Sequence, residues 1–227
     1  MKCRTIFFIF LMQFLSFFYG CKSPFEVTSH DQNKDGQIDN RLYTKTDSKI
    51  SIFMETFERQ KKMPDDWMWL KMDSKDPKSF QTFYNEIASK DPNKIDIKIW
   101  FGPDNIKLIE KDDKDSDGFF ETTQYFNRFA KPKINSGIIA RIEIDSDRDG
   151  KPDIWIYPMK RMELDTNQDG VPDQFSTDNE QIGQILKTGK LPIDFKRTSI
   201  LPSSRSWGLH PELIQDETLK AVIPFSL

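Results

Sequence analysis

Four stretches of this 227-residue chain place an oxygen-bearing side chain at every second position, then a glycine, then an acid three residues later. The first reads Asp31-Gln32-Asn33-Lys34-Asp35-Gly36-Gln37-Ile38-Asp39. The others occupy residues 113–121, 145–153 and 165–173. Neither a helix nor a strand can continue through such a stretch, because the sixth-position glycine marks a sharp reversal. Each stretch also lies between segments of strand-like sequence, so each predicts a loop joining two antiparallel strands. Four loops of this kind along one chain constrain the fold to a β-meander.

The loops name a ligand chemistry as well. Hard cations such as Ca²⁺ take six to eight oxygen ligands, and a short loop with oxygens at positions 1, 3 and 5 and a carbonyl at position 7 wraps one ion. The third loop offers Asp145, Asp147, Asp149, the Lys151 carbonyl and Asp153; the fourth offers Asp165, Asn167, Asp169, the Val171 carbonyl and Asp173. The second offers Asp113, Asp115, Asp117, the Phe119 carbonyl and Glu121, and the first Asp31, Asn33, Asp35, the Gln37 carbonyl and Asp39. Up to four Ca²⁺ sites are expected, with residues 145–153 and 165–173 the most complete. An EF-hand loop carries a bidentate Glu at position 12; here Leu42, Gln124, Ile156 and Ser176 stand there, so a sensor that opens a helical groove is excluded. Glu143 and Glu163, just ahead of the third and fourth loops, are candidates to complete the shells. Few fixed ligands imply weak sites, on the order of 10⁻⁴ to 10⁻³ M.

Loops three and four are internal repeats over 13 residues, from Glu143 to Trp155 and from Glu163 to Phe175. Both carry Pro at position 8 and an aromatic beyond the ninth acid. This pair resembles the bacterial thrombospondin type 3 repeat, a calcium-binding unit. Loops one and two match it less fully, since both lack the proline.

The fold class expected is mainly β with minor α: an antiparallel meander with calcium loops between strands and one or two short helices. Strands are expected at 25–28, 41–45, 50–57, 95–100, 106–109, 122–126, 138–144, 154–157 and 161–164. Residues 64–72 are ambiguous. Asp76 and Pro77 read as a helix start, and Phe80, Phe83, Tyr84 and Ile87 fall on one helical face, predicting a helical insertion over 76–89. A second short helix is expected at 178–187, ended by Gly189. The proline-bearing tail, 190–227, is expected to lie on the same domain as extended chain.

The start of the chain reads differently. Lys2 and Arg4 precede an apolar run to Phe18, then Gly20-Cys21, the pattern of a secretory signal over residues 1–20. Phe18-Tyr19-Gly20-Cys21 resembles the lipobox of spirochaete-type bacterial lipoproteins, in which the cysteine is lipidated and becomes the new N-terminus. That resemblance implies a lipid (palmitate among its acyl groups) on Cys21 and a tether over 21–24; the pattern of loops and strands that follows places a calcium-loop domain over 25–177, with the short helix and extended C-terminal segment, 178–227, packed on it. The lipobox resemblance also implies a membrane partner, and Lys22 after the cysteine points to the outer membrane. With Cys3 in the signal and Cys21 lipidated, no thiol remains for a disulfide or for catalysis. The net charge of −3 excludes a basic nucleic-acid face. Removal of Lys2 and Arg4 takes it to −5, and four bound Ca²⁺ would reverse its sign.

No nucleophile elbow, phosphate loop, dinucleotide fingerprint or His-based zinc cluster occurs, and only His30 and His210 are present. The expectation is a non-enzymatic, calcium-stabilised envelope lipoprotein that binds a host or envelope ligand. The alternative is a calcium-dependent carbohydrate-active enzyme using paired carboxylates; Trp67, Trp69 and Trp100 would offer it a sugar-stacking platform, but their apolar neighbours favour core packing for them.

Overall fold

A computed structural model describes residues 23–58, 62–72, 80–127, 138–188 and 201–214. Twelve strands form one antiparallel sheet in strict chain order: β1 (Phe25–His30), β2 (Asn40–Lys45), β3 (Ser51–Thr56), β4 (Asp66–Met72), β5 (Phe80–Ile87), β6 (Ile97–Phe101), β7 (Lys107–Asp112), β8 (Thr122–Phe126), β9 (Ile139–Ile144), β10 (Ile154–Tyr157), β11 (Arg161–Leu164) and β12 (Gln174–Ser176). One helix, α1 (Asn179–Thr188), follows. The mainly-β expectation is therefore met. Among the described residues no helix is long and apolar enough to cross a membrane.

One expected element is wrong. Within 76–89 the described residues from Phe80 onward form strand β5, not a helix, paired with β4 and β6. The register explains the deceptive spacing. Tyr84 faces Trp69 and Thr82 faces Leu70, so Phe83 is an extra residue in a β-bulge. A bulge breaks the two-residue alternation, and the apolar positions on either side then mimic a helical stripe. Asp76 and Pro77 lie outside the described residues. The ambiguous stretch 64–72 resolves as β4, and the expected strand at 95–100 begins only at Ile97.

Pairing places one residue from each of β1 to β9 in a file across the sheet: Val27, Tyr43, Phe53, Trp69, Tyr84, Trp100, Ile109, Tyr125 and Arg141. The rings from Tyr43 to Trp100 stand 5.0–5.3 Å apart, tilted or edge-on, in the geometry the aromatic quadrupole favours. Bulges recur beside this file at β2/β3, β4/β5, β6/β7 and β8/β9.

The core sits at the C-terminal half. On the aromatic face, Ile109, Tyr125, Ala140, Trp155 and Tyr157 pack under Trp207 and Ile214 of the C-terminal strap. On the opposite face, Ile142, Ile144, Ile154, Ile156, Met162 and Leu164 pack under Ile182 and Ile185 of α1. Asp178 caps that helix by accepting the Glu180 amide. The strap is clasped by Glu163, which is fully buried. Its carboxylate accepts bonds from the Ser206 hydroxyl and the amides of Trp207 and Gly208, and it pairs with Arg161 at 2.8 Å.

Candidate metal centre

The meander brings every second connection to one end of the sheet. Six connections meet there, at 31–39, 57–65, 88–96, 113–121, 145–153 and 165–173, and each spans nine residues between its strands. Four are the expected acidic loops. The other two were not legible as members of the set, because Phe57 and Ala88 replace the first-position Asp. Two signals in the sequence could have found them: the ninth residue is acidic in both (Asp65, Asp96), and Pro64 stands at position 8 as Pro152 and Pro172 do.

All six share a frame. The ninth carboxylate accepts the amide of the second residue, at 2.7 Å for Asp39, 3.1 Å for Asp65, 2.5 Å for Asp96, 2.9 Å for Glu121, 2.6 Å for Asp153 and 3.4 Å for Asp173. The amide of each first residue then reaches back to the ninth carbonyl of the preceding loop. Phe57 bonds Asp39, Ala88 bonds Asp65, Asp113 bonds Asp96, Asp145 bonds Glu121, and Asp165 bonds Asp153, all at 2.8–2.9 Å. Leu201 extends the series by bonding Asp173. The loop end is thus a continuous hydrogen-bonded belt.

Inside the four acidic loops the local geometry repeats. The fourth residue is left-handed (Lys34, Ser116, Arg148, Gln168; φ 60–70°), and the glycine has φ of 82–99°. A Cβ is costly at such a φ, which explains the glycine. The first carboxylate accepts the glycine amide at 2.6–2.9 Å. The fifth carboxylate accepts the seventh amide at 2.8–2.9 Å. These bonds aim carboxylates inward.

Carboxylate oxygens of Asp113, Asp115 and Asp117 lie within 4.8 Å of one another, and so do those of Asp145, Asp147 and Asp149. Oxygens on a shell of about 2.4 Å radius stand no farther apart than this, so each triplet can hold a metal ion. In loops one and four the third residue is Asn, and its Nδ2 donates to Asp35 or Asp169 at 3.2 or 3.1 Å. A half-turn of the amide would present its oxygen instead. Burial, with the charges of Asp153 and Asp149, pushes the Asp145 carboxyl above its usual range against the Arg148 and Gly150 amides. At Asp117 the Phe119 amide and then the Arg148 charge hold the carboxyl low. In loop four, Asp173 Oδ1 is buried with no hydrogen-bond partner. An all-oxygen donor set with crowded charge and an orphaned ninth-position oxygen fits a hard divalent cation.

Two expectations change. Glu143 and Glu163 do not complete the shells: Glu143 pairs with Arg141 at 2.8 Å and accepts the Tyr125 hydroxyl, and Glu163 clasps the strap. Trp67, Trp69 and Trp100, expected to pack in the core rather than to form a sugar platform, share one face of the sheet, with Trp69 and Trp100 in the aromatic file and Trp67 in the next, all half-buried. In that next file Glu55 and Glu86 flank Trp67. They accept the hydroxyls of Tyr43 and Tyr84, at 2.9 and 2.7 Å. Cys21 lies outside the described residues.

No protein-family model and no curated protein matches this chain. Among the solved structures that align with it are two crystal structures of TarM. One is a point mutant of S. aureus TarM in complex with fondaparinux, α-GlcNAc-glycerol and UDP, at 10% identity and a TM-score of 0.36, over 63% of this chain and 23% of that one. The second has a TM-score of 0.35 and 10% identity, over 63% and 22%. The aligned part is less than a quarter of TarM's length. With TarM among the structures it aligns with, the expectation that the chain is not an enzyme is withdrawn. A TM-score of 0.36 supports no particular reaction, and none is carried over.

Proposed function

We propose that this chain is a calcium-binding protein of the bacterial cell envelope, tethered to the outer membrane by lipid on Cys21, whose sheet is locked at its loop end by Ca²⁺. The observation that carries the reading is the convergence of three carboxylates in loops two and three, on a backbone frame that loops one and four repeat. Asp145, Asp147, Asp149, the Lys151 carbonyl and Asp153 would form one ligand set, and their equivalents in the other loops the rest. The likeness to thrombospondin type 3 repeats supports Ca²⁺ over Mg²⁺, which demands octahedral geometry and keeps its waters. The belt gives the binding a mechanical effect. Glu121 and Asp153 each belong to one ligand set and accept, through their carbonyls, a bond from the first residue of the next acidic loop, Asp145 and Asp165, so ordering one of loops two to four orders its neighbour. The lipid anchor rests on the sequence of residues 1–22.

At free calcium ten times Kd, each site stabilises the fold by about 1.4 kcal/mol. Four such sites raise the melting temperature of a 200-residue domain by roughly 10–20 °C. Thermal melts of the chain from residue 22 onward, in millimolar calcium and in chelator, test this. Asp149→Ala and Asp169→Ala should each remove part of the rise, and superimposable melts in the two buffers would refute the reading.

A second reading keeps the carbohydrate-active class. Glu55 and Glu86 stand two strand spacings apart on the aromatic face, about 9.6 Å between backbones, near the separation of an inverting pair of catalytic carboxylates. Glycan turnover that Glu55→Gln and Glu86→Gln both abolish would support it; turnover untouched by either would remove it.

A further inference from the structure

Loop two differs from its neighbours in what faces its carboxylates. Arg148, the fourth residue of loop three, turns toward it. Its Nη2 lies 3.3 Å from Asp115 Oδ2 and contacts Asp117 Oδ2 more closely still. Its guanidinium sits 5.8 Å from the Phe119 ring. These three residues are positions 3, 5 and 7 of loop two, which supply its side-chain and carbonyl ligands in the calcium reading. The equivalent acids of loops three and four, Asp147, Asp149 and Asp169, make no ion pair among the described residues. Two lysines also reach loop two, but from behind. Lys90 Nζ donates to the carbonyls of Asp113 and Lys114, and Lys94 Nζ to that of Ser116. They brace the backbone and leave the carboxylates to Arg148.

We propose that Arg148 is a built-in competitor for the cation of loop two. Its guanidinium neutralises Asp115 and Asp117 while the loop is empty, and must swing away before both carboxylates can turn onto a divalent ion. Loop three faces no such competitor, so it loads at lower calcium and loop two follows. The order of filling is therefore written into one side chain that belongs to the neighbouring loop. This inference rests on the calcium reading above.

Arg148→Gln is the informative variant. Gln168 occupies the same position in loop four at φ 61°, against 70° at Arg148, so the backbone accepts glutamine there. Arg148 is half-exposed, and its loss spares the core. Calorimetric calcium titration of the chain from residue 22 onward should show a weaker class of site in the wild type. That class should tighten about three- to tenfold in Arg148→Gln, the scale of removing two exposed ion pairs. In an Asp115→Asn background the same replacement should tighten the site by a smaller factor, because one of the two carboxylates that hold Arg148 is gone and only Asp117 remains. An unchanged weak class, or equal tightening with and without Asp115, overturns the inference while leaving calcium binding intact. A wild type that takes up no calcium removes both.

Discussion

Glu163→Ala tests how the C-terminal strap is held. Glu163 is fully buried, and its carboxylate is the shared acceptor for the Ser206 hydroxyl at 2.9 Å, the Trp207 amide at 2.8 Å and the Gly208 amide at 2.9 Å. It also neutralises Arg161, whose side chain is 13% exposed. Alanine leaves three donors without this acceptor and a nearly buried guanidinium without its carboxylate, with the Arg205 carbonyl at 3.2 Å as its remaining hydrogen-bond acceptor. Breaking a buried pair from one side costs about 3–5 kcal/mol, a large part of a typical domain stability of about 5–15 kcal/mol. At a denaturant slope of about 2 kcal/mol/M, the urea midpoint should fall by roughly 2 M. Tryptophan fluorescence is a direct probe, because the Trp207 ring packs edge-on against Tyr157 at 5.1 Å. Glu163→Gln should fall between the two, since its one carbonyl oxygen keeps part of the acceptor capacity. A Glu163→Ala midpoint within about 0.3 M of wild type, on the same slope, would refute the clasp.

Two further outcomes follow from other parts of the sheet. Asp96 is 1% exposed and accepts the Ser89 amide and hydroxyl, so Asp96→Ala should cost about 1–3 kcal/mol in urea unfolding. It should leave the number of calcium ions bound unchanged, because its loop has Ala88, Lys90 and Pro92 at positions 1, 3 and 5; loss of an ion would show that this loop is a site. Burial, reinforced by the charges of Glu58 and Asp65, raises the Asp66 carboxyl to about 6, against a hydrogen bond from Asn85. Its folded value exceeds its unfolded one, so the native state binds the extra proton between about pH 4 and 6 and loses stability as pH rises through that window. Discounted for its partial exposure, the penalty at neutral pH is at most about 2 kcal/mol. Asp66→Asn in chelator should therefore be more stable than wild type at pH 7.5 and equal to it near pH 4; parallel pH profiles would exclude the effect.

The acidic loops and the strands beside them were legible because both signals are local. Alternating oxygens and a glycine fix a nine-residue turn, and the segments 122–126, 154–157 and 161–164 carry strand patterns uninterrupted by bulges of their own. The helix expected over 76–89 failed where the period was corrupted: the bulge at Phe83 shifts the alternation by one, and no pairing partner is visible in sequence to reveal it. Loops 57–65 and 88–96 were hidden for the opposite reason. Their frame lies in backbone bonds and one ninth-position carboxylate, whereas the conspicuous Asp at position 1 is absent. Glu143 and Glu163 looked like spare ligands because sequence gives their distance along the chain but not their face of the sheet. Their side chains turn to Arg141, Arg161 and the strap, partners that only the register discloses.

The central claim is that the acidic loops take up calcium one ion each, and equilibrium dialysis of the chain from residue 22 onward against labelled calcium counts the ions. The account predicts four per chain at saturation, and one fewer in each of Asp31→Asn, Asp113→Asn, Asp145→Asn and Asp165→Asn. A wild type that retains no calcium, or a count indifferent to all four replacements, would contradict it.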